Sequence, residues 1–256
     1  MNVLIAFLLT LLAGLATGIG GLLVFYKRAQ QAKFFAASLG FSAGVMLYVS
    51  FIEIIPKGID ALAENFDSNI AQWLAIIGFF VGICFILIID QLIPKANNPH
   101  ELHDDQPKSL MRLGLFAAFA IALHNFPEGI ATFYASLEDL SLGIGITIAI
   151  ALHNIPEGMA IALPIFQATK NKQKGLLYAL LSGLAEPMGA LIGFLIFSTF
   201  LPSNILGMIF PFVAGIMVYI SLDELLPTSE KYGYHHVSMF GLIGGMAIMA
   251  LSLLLV

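Results

Sequence analysis

The chain of 256 residues has one cysteine, one tryptophan and only 11% charged residues. Each scarcity excludes something. A lone Cys84 permits neither a disulfide framework nor a thiolate-rich metal site. With 11 Lys and Arg against 16 Asp and Glu, there is no basic stripe for nucleic acid. The sequence also lacks a G-x-x-x-x-G-K-[ST] stretch, which removes direct coupling to ATP through a phosphate-binding loop. The first positive charge is Lys27, so the N-terminus lacks the basic region of a secretory signal peptide and reads as a retained first span.

What remains is apolar: 59% hydrophobic residues and a mean hydropathy of +0.93, arranged in recurring charge-free runs. This predicts an all-α polytopic membrane protein, a single transmembrane domain over residues 1–256. Eight spans are expected, at roughly 3–26, 34–55, 69–92, 111–134, 141–165, 175–199, 205–226 and 238–256. Ten of the eleven basic residues fall in alternate loops: Lys27, Arg28 and Lys33; Lys95, Lys108 and Arg112; Lys170, Lys172 and Lys174; and Lys231. Only Lys57 falls on the other side. By the positive-inside rule those loops are cytoplasmic and both termini face outward. The outer loops carry Asp60, Glu64, Asp67, Glu138 and Asp139, an acidic face that enriches cations near the mouth.

Two internal repeats organise the chain. Residues 41–56 (FSAGVMLYVSFIEIIP) and 212–227 (FVAGIMVYISLDELLP) agree at eight of sixteen positions and lie in spans two and seven, which cross in opposite directions. That pattern marks an inverted repeat of spans one to three and six to eight around a central pair, spans four and five. Under this symmetry Glu53 lies near the outer mouth, and Glu224, beside Asp223, near the inner one. Pairs such as Gly14 and Gly18, Gly40 and Gly44, and Gly241 and Gly245 permit close helix packing.

The second repeat carries chemistry. Residues 121–131 (IALHNFPEGIA) and 150–160 (IALHNIPEGMA) agree at nine of eleven positions, each near mid-span. Helical spacing turns His124, Asn125 and Glu128 toward one face, and His153, Asn154 and Glu157 likewise. Pro127 and Pro156 leave the carbonyls of Leu123 and Leu152 without their usual partner, which kinks or loosens each helix. Gly129 and Gly158 leave room for a neighbouring backbone. A carboxylate at the bilayer centre costs roughly 2.5–3.5 kcal/mol on insertion scales. Glu128, Glu157 and Glu186 stand at such depths with no Lys or Arg beside them, and a divalent cation is the natural compensation. Glu186, followed by Pro187, repeats the Glu-Pro theme in span six. Met46 and Met217 occupy matching repeat positions, where packing is the ordinary role of methionine. The loop at 95–110 adds His100, Glu101, His103, Asp104 and Asp105, either a solvated segment or a metal-capturing one.

An intramembrane hydrolase is a competing class. Gly40-Phe-Ser-Ala-Gly44 matches G-x-S-x-G, but that motif works on a strand-to-helix turn and here falls inside an apolar helix. Neither motif His is followed by Glu, so an H-E-x-x-H zinc protease is not supported. A metal-selective channel would share every ligand with a carrier.

The paired HNxPEG motifs, Glu186-Pro187, the Gly44-Val45-Met46 run and the eight-span plan resemble the ZIP family of divalent metal transporters over essentially the whole chain. The resemblance implies uptake of divalent transition metals toward the cytoplasm through the cell inner (plasma) membrane. The ions would be substrates, with no cofactor; a homodimer is left open as the assembly. Matched position by position, Asn125, Glu128, Asn154, Glu157 and Glu186 would surround one metal. Glu128 and Glu157 would bridge to a second, held by His124 and His153. Met46 matches a methionine lining the family's site. In some relatives an acidic residue stands where Asn154 does, and its loss bears on the second site's affinity. The family is thought to move its central helices as a block against the repeat scaffold. Imidazole, carboxylate and amide donors without thiolate suit Zn(II), Fe(II), Co(II), Mn(II) and Cd(II), with zinc foremost.

Overall fold

A computed structural model of the protein describes residues 3–92, 107–200, 207–231 and 233–255. His100, Glu101, His103, Asp104 and Asp105 lie outside the described residues. Among the described residues there is no strand, and eight helices are long and apolar enough to cross a membrane. They are α1 (Val3–Leu23), α2 (Ala32–Ala63), α3 (Ser68–Gln91), α4 (Leu110–Glu138), α5 (Leu140–Thr169), α6 (Lys172–Ile196), α7 (Ile209–Glu230) and α8 (His235–Leu254).

The links from α4 to α5 and from α5 to α6 are short, and a polar cap starts the helix that follows each. Asp139 caps α5 by accepting from the Leu142 amide at 2.8 Å, and Asn171 caps α6 by accepting from Gln173 and Lys174 at 3.0 and 3.2 Å. Each cap satisfies amides that a helix start leaves without partners.

One expectation about span ends needs correction: α2 runs to Ala63, past its expected end at 55, and α7 runs to Glu230, past 226. In both, a π-helical turn (Ser50–Ile54 and Ser221–Leu225) precedes the proline, so Pro56 and Pro227 stand at the start of a new helical segment, where a missing amide is harmless. Both α4 and α5 continue as helices through Pro127 and Pro156. One lost hydrogen bond does not end a helix clamped this closely: a Cβ at Gly129 would lie 2.0 Å from the Glu186 carbonyl oxygen, and one at Gly158 only 1.8 Å from that of Thr17. A break does fall in α6, at Leu184, between the helical segments Lys172–Gly183 and Ala185–Phe200 and just before Pro187.

The inverted repeat is written in the packing. Gly44 of α2 abuts the Leu242 carbonyl of α8, and its repeat mate Gly215 of α7 abuts the Phe79 carbonyl of α3. Gly245 meets the Phe41 carbonyl, and its mate Gly82 meets that of Phe212. Gly20 of α1 meets the Ile155 carbonyl of α5, and Gly189 of α6 meets that of Phe126 in α4. On the axis itself, Gly14 and Gly183 each press on the other's carbonyl, at 2.3 and 2.1 Å from where a Cβ would stand. Such backbone approach drives helix association in lipid, where apolar side chains gain nothing by leaving the hydrocarbon.

The central pair is unequally enclosed. In its apolar window α5 is 72% buried and α4 39%, against 22% for α3 and α8 at the periphery. Helices α1, α2 and α4 pack around α5, while α4 turns Leu115 and Phe119 outward. Exposed side chains such as Trp73, Phe80, Phe240 and Leu254 stud the outside, a surface that hydrocarbon covers and water does not tolerate.

Candidate metal centre

At the middle of α4, α5 and α6, seven polar side chains lie inside the bundle. His124 is 1% exposed, and Asn125, Glu128, His153, Asn154, Glu157 and Glu186 are fully buried. The two HNxPEG motifs reach across to one another. The His124 imidazole donates from Nε2 to Glu157 Oε2 at 3.1 Å, and His153 Nε2 donates to Glu128 Oε2 at 3.4 Å. These bonds are twins under the pseudo-twofold. So are two amide bonds: Asn154 Nδ2 donates to the Ala13 carbonyl at 2.9 Å, and Asn125 Nδ2 donates to the Ser182 carbonyl at 3.4 Å. Asn154 also donates to Glu186 Oε1, which ties α6 into the cluster.

The bonds leave half of each group unused. His124 Nδ1, Asn125 Oδ1, Glu128 Oε1, His153 Nδ1, Asn154 Oδ1, Glu157 Oε1 and Glu186 Oε2 are buried without a hydrogen-bond partner, as is Thr17 Oγ1. Among the described residues these eight are all the buried side-chain nitrogens and oxygens so placed. Native proteins satisfy buried polar groups, so a concentration of exceptions in one place calls for a physical explanation. The acids and imidazoles are paired off, and no three His, Cys, Asp or Glu among the described residues converge on one point ready to close on an ion.

Met46 is not hydrogen-bonded into this network. It is fully buried in α2, one turn beyond Ser42, whose hydroxyl donates to the His153 carbonyl at 3.0 Å. Its mate Met217 accepts a contact from the Ser50 hydroxyl at 3.8 Å through sulfur.

Two recesses flank the cluster and are also twins. One, a cavity of about 30 Å³ between α3, α4 and α7, is lined by Asp90, Leu123, Tyr219, Asp223 and Glu224. The other, a cleft of about 220 Å³ between α2, α5 and α8, is lined by Glu53, Lys57, Asp139, Ser141 and Leu253. Leu253 is the repeat mate of Asp90, and Glu53 that of Glu224. The symmetry places them at opposite ends of the bundle.

Thr17 is the residue that reading the motifs passes over. A third repeat carries the signal: residues 11–22 (LLAGLATGIGGL) and 180–191 (LLSGLAEPMGAL) agree at seven of twelve positions and align Thr17 with Glu186.

An eight-helix inverted repeat with buried His, Asn and Glu at its centre and an acidic recess at each end defines a polytopic membrane protein with a polar, ionisable centre. The chain belongs to the ZIP family: the family model described as ZIP Zinc transporter matches residues 2–109 and 94–253. Curated relatives named Zinc transporter ZupT are similar over nearly their whole length. That of Streptococcus mutans is 53% identical over 98% of this chain and 97% of its own. That of Chlorobium phaeovibrioides is 55% identical over 98% and 97%, and that of Corynebacterium glutamicum 54% over 98% and 99%.

Proposed function

We propose that the protein is a carrier, a single transport unit that moves divalent transition-metal ions, zinc foremost, into the cytoplasm. The observation that carries this reading is the gathering of unpartnered buried nitrogen and oxygen atoms at mid-bundle, on residue types that ligate such ions. His124, Asn125, Glu128, His153, Asn154, Glu157 and Glu186 are the proposed ligands, with Met46 beside them. Their carboxylates bring three negative charges against the four of two divalent ions, so a doubly occupied site is nearly balanced. The paired hydrogen bonds between α4 and α5 hold the imidazoles and acids until an ion exchanges with them.

The ion's route runs from the cleft at Glu53 and Asp139 to the cavity at Asp90, Asp223 and Glu224. The basic residues support placing the cavity on the cytoplasmic side and both termini outside, in the cell inner membrane. An inside-negative potential of 100 mV then contributes roughly 4.6 kcal/mol to inward movement of a divalent ion. The names of the relatives support zinc as the first substrate to try.

The test is uptake of radioactive zinc into proteoliposomes, wild type against Glu128→Ala and Glu157→Ala at equal incorporation. Saturable uptake lost in both variants, with cold Fe(II), Mn(II) and Cd(II) competing, is the expected result. Near-diffusive flux with single-channel currents would make the protein a channel, and tight binding without uptake would overturn transport altogether.

A further inference from the structure

Of the buried threonines among the described residues, Thr10, Thr132 and Thr147 each donate to the carbonyl one turn earlier, as the buried Ser136 and Ser221 do, at 2.6 to 3.0 Å. Thr17, fully buried in α1, does not. The carbonyl one turn before it belongs to Ala13, and that oxygen accepts the Asn154 side-chain amide instead. Thr17 Oγ1 therefore stands one turn along α1 from the point where Asn154 is held, unpartnered, as Asn154 Oδ1 is.

The pseudo-twofold gives the same placement independently. Glu186 lies one turn after Ser182, whose carbonyl holds the Asn125 amide; Thr17 lies one turn after Ala13, whose carbonyl holds that of Asn154. The backbones agree, since Gly129 abuts the Glu186 carbonyl and Gly158, next to Glu157, abuts the Thr17 carbonyl. Glu186 points its carboxyl into the cluster and bonds to Asn154. Its twin on α1 carries a hydroxyl in place of the carboxylate.

We propose that the Thr17 hydroxyl is a further ligand of the divalent ion, supplied by α1 and set against Glu186 across the pseudo-twofold. The proposal rests on the transport reading above and adds a fourth helix to the site. A hydroxyl is a hard, neutral oxygen donor. It contributes to coordination without adding a fourth negative charge to the buried three, and it favours the harder ions Mn(II) and Fe(II) relative to Zn(II) and Cd(II).

A cysteine at this position reports contact directly. In a Cys84→Ser background, which removes the exposed native thiol, Thr17→Cys protein is titrated with cadmium while ultraviolet absorbance and metal stoichiometry are recorded. A thiolate-to-cadmium charge-transfer band growing in step with bound cadmium is the expected result; cadmium bound at wild-type stoichiometry without the band overturns the proposal. In parallel, the near-isosteric Thr17→Val should weaken manganese binding about 10-fold, with a smaller loss for zinc, and Thr17→Ser should restore both. Equal losses for every metal, unrescued by serine, would mean a packing role and sink the idea. Glu128→Ala in the same assays separates the two claims. If it loses metal while Thr17→Val binds as wild type and Thr17→Cys shows no band, the transport site stands and the ligand role falls. Metal retained in Glu128→Ala at full affinity removes the site and the Thr17 proposal with it.

Discussion

Substitution of Gly158 by alanine puts the packing argument at greatest risk. A Cβ at Gly158 would stand 1.8 Å from the Thr17 carbonyl oxygen, 2.8 Å from its carbon and 3.0 Å from the Gly21 amide nitrogen. All three are backbone atoms, so no side chain can swing aside. Carbon-to-oxygen contact begins near 3.3 Å, so α1 and α5 would have to part by about 1.5 Å. A radial gap of even 0.5–1 Å forfeits about a quarter to a half of each dispersion contact along the interface. Overpacking of this kind costs roughly 3 kcal/mol, which corresponds to a fall in melting temperature of roughly 6–12 °C for a chain of this size. Glu157 is the adjacent residue, so zinc uptake should fall as well. The assay is thermal denaturation followed by size-exclusion fluorescence in detergent, with zinc uptake measured on the surviving protein. Gly244→Ala is the control, since a Cβ there meets nothing within 4 Å and should change neither readout. If Gly158→Ala melts with wild type, the close approach of α1 and α5 is wrong and the pseudo-symmetric frame built on it fails.

Other outcomes follow from single contacts. Ser42→Ala removes the 3.0 Å bond to the His153 carbonyl and should cost about 1 kcal/mol of stability while sparing zinc uptake; complete loss of uptake would show that the hydroxyl acts chemically. Asn154→Asp replaces the amide that donates to Glu186 with a second acid, so the metal-free protein should melt lower and gain more from added zinc than wild type does, read as a larger ligand-induced thermal shift. Lys57→Gln removes the one cation lining the acidic cleft and should lower the KM for zinc at low ionic strength. That gain should vanish near 1 M salt, where the screening length falls to about 3 Å; a gain that persists would mean that Lys57 acts by shape.

The parts of this molecule that are local in sequence were legible there. His124 and Glu128, four apart on a helix, share a face by geometry alone, and the copy at His153 and Glu157 follows. The repeat between residues 41–56 and 212–227 announced the inverted architecture, and the packing of Gly44 and Gly215 reproduces it residue for residue. What was not legible depends on neighbours. Pro127 and Pro156 show in the sequence that a hydrogen bond is lost, but not that Gly129 and Gly158 bring neighbouring backbones against α4 and α5 beside them, where both stay helical. The π-helical turns that carry α2 and α7 past Pro56 and Pro227 leave no mark that a hydropathy window detects. Thr17 escaped notice because a threonine in an apolar helix ordinarily bonds to its own backbone; only the arrival of Asn154 from α5 at the Ala13 carbonyl removes that option.

The twofold relation between the halves also bears on why the two ends of the molecule are unlike. A scaffold with identical halves would present the same face to both compartments, and ions would dwell equally at each. Here polarity resides in a few substitutions that break the match: Asp90 where its mate is Leu253, Asp223 where its mate is Ile52, and Glu186 where its mate is Thr17. In the transport proposed above, membrane potential and concentration gradient fix the net direction of flow, and these three pairs bias the end at which an ion lingers. The helices are near-twins, so any difference in dwell between the two ends has to come from side chains.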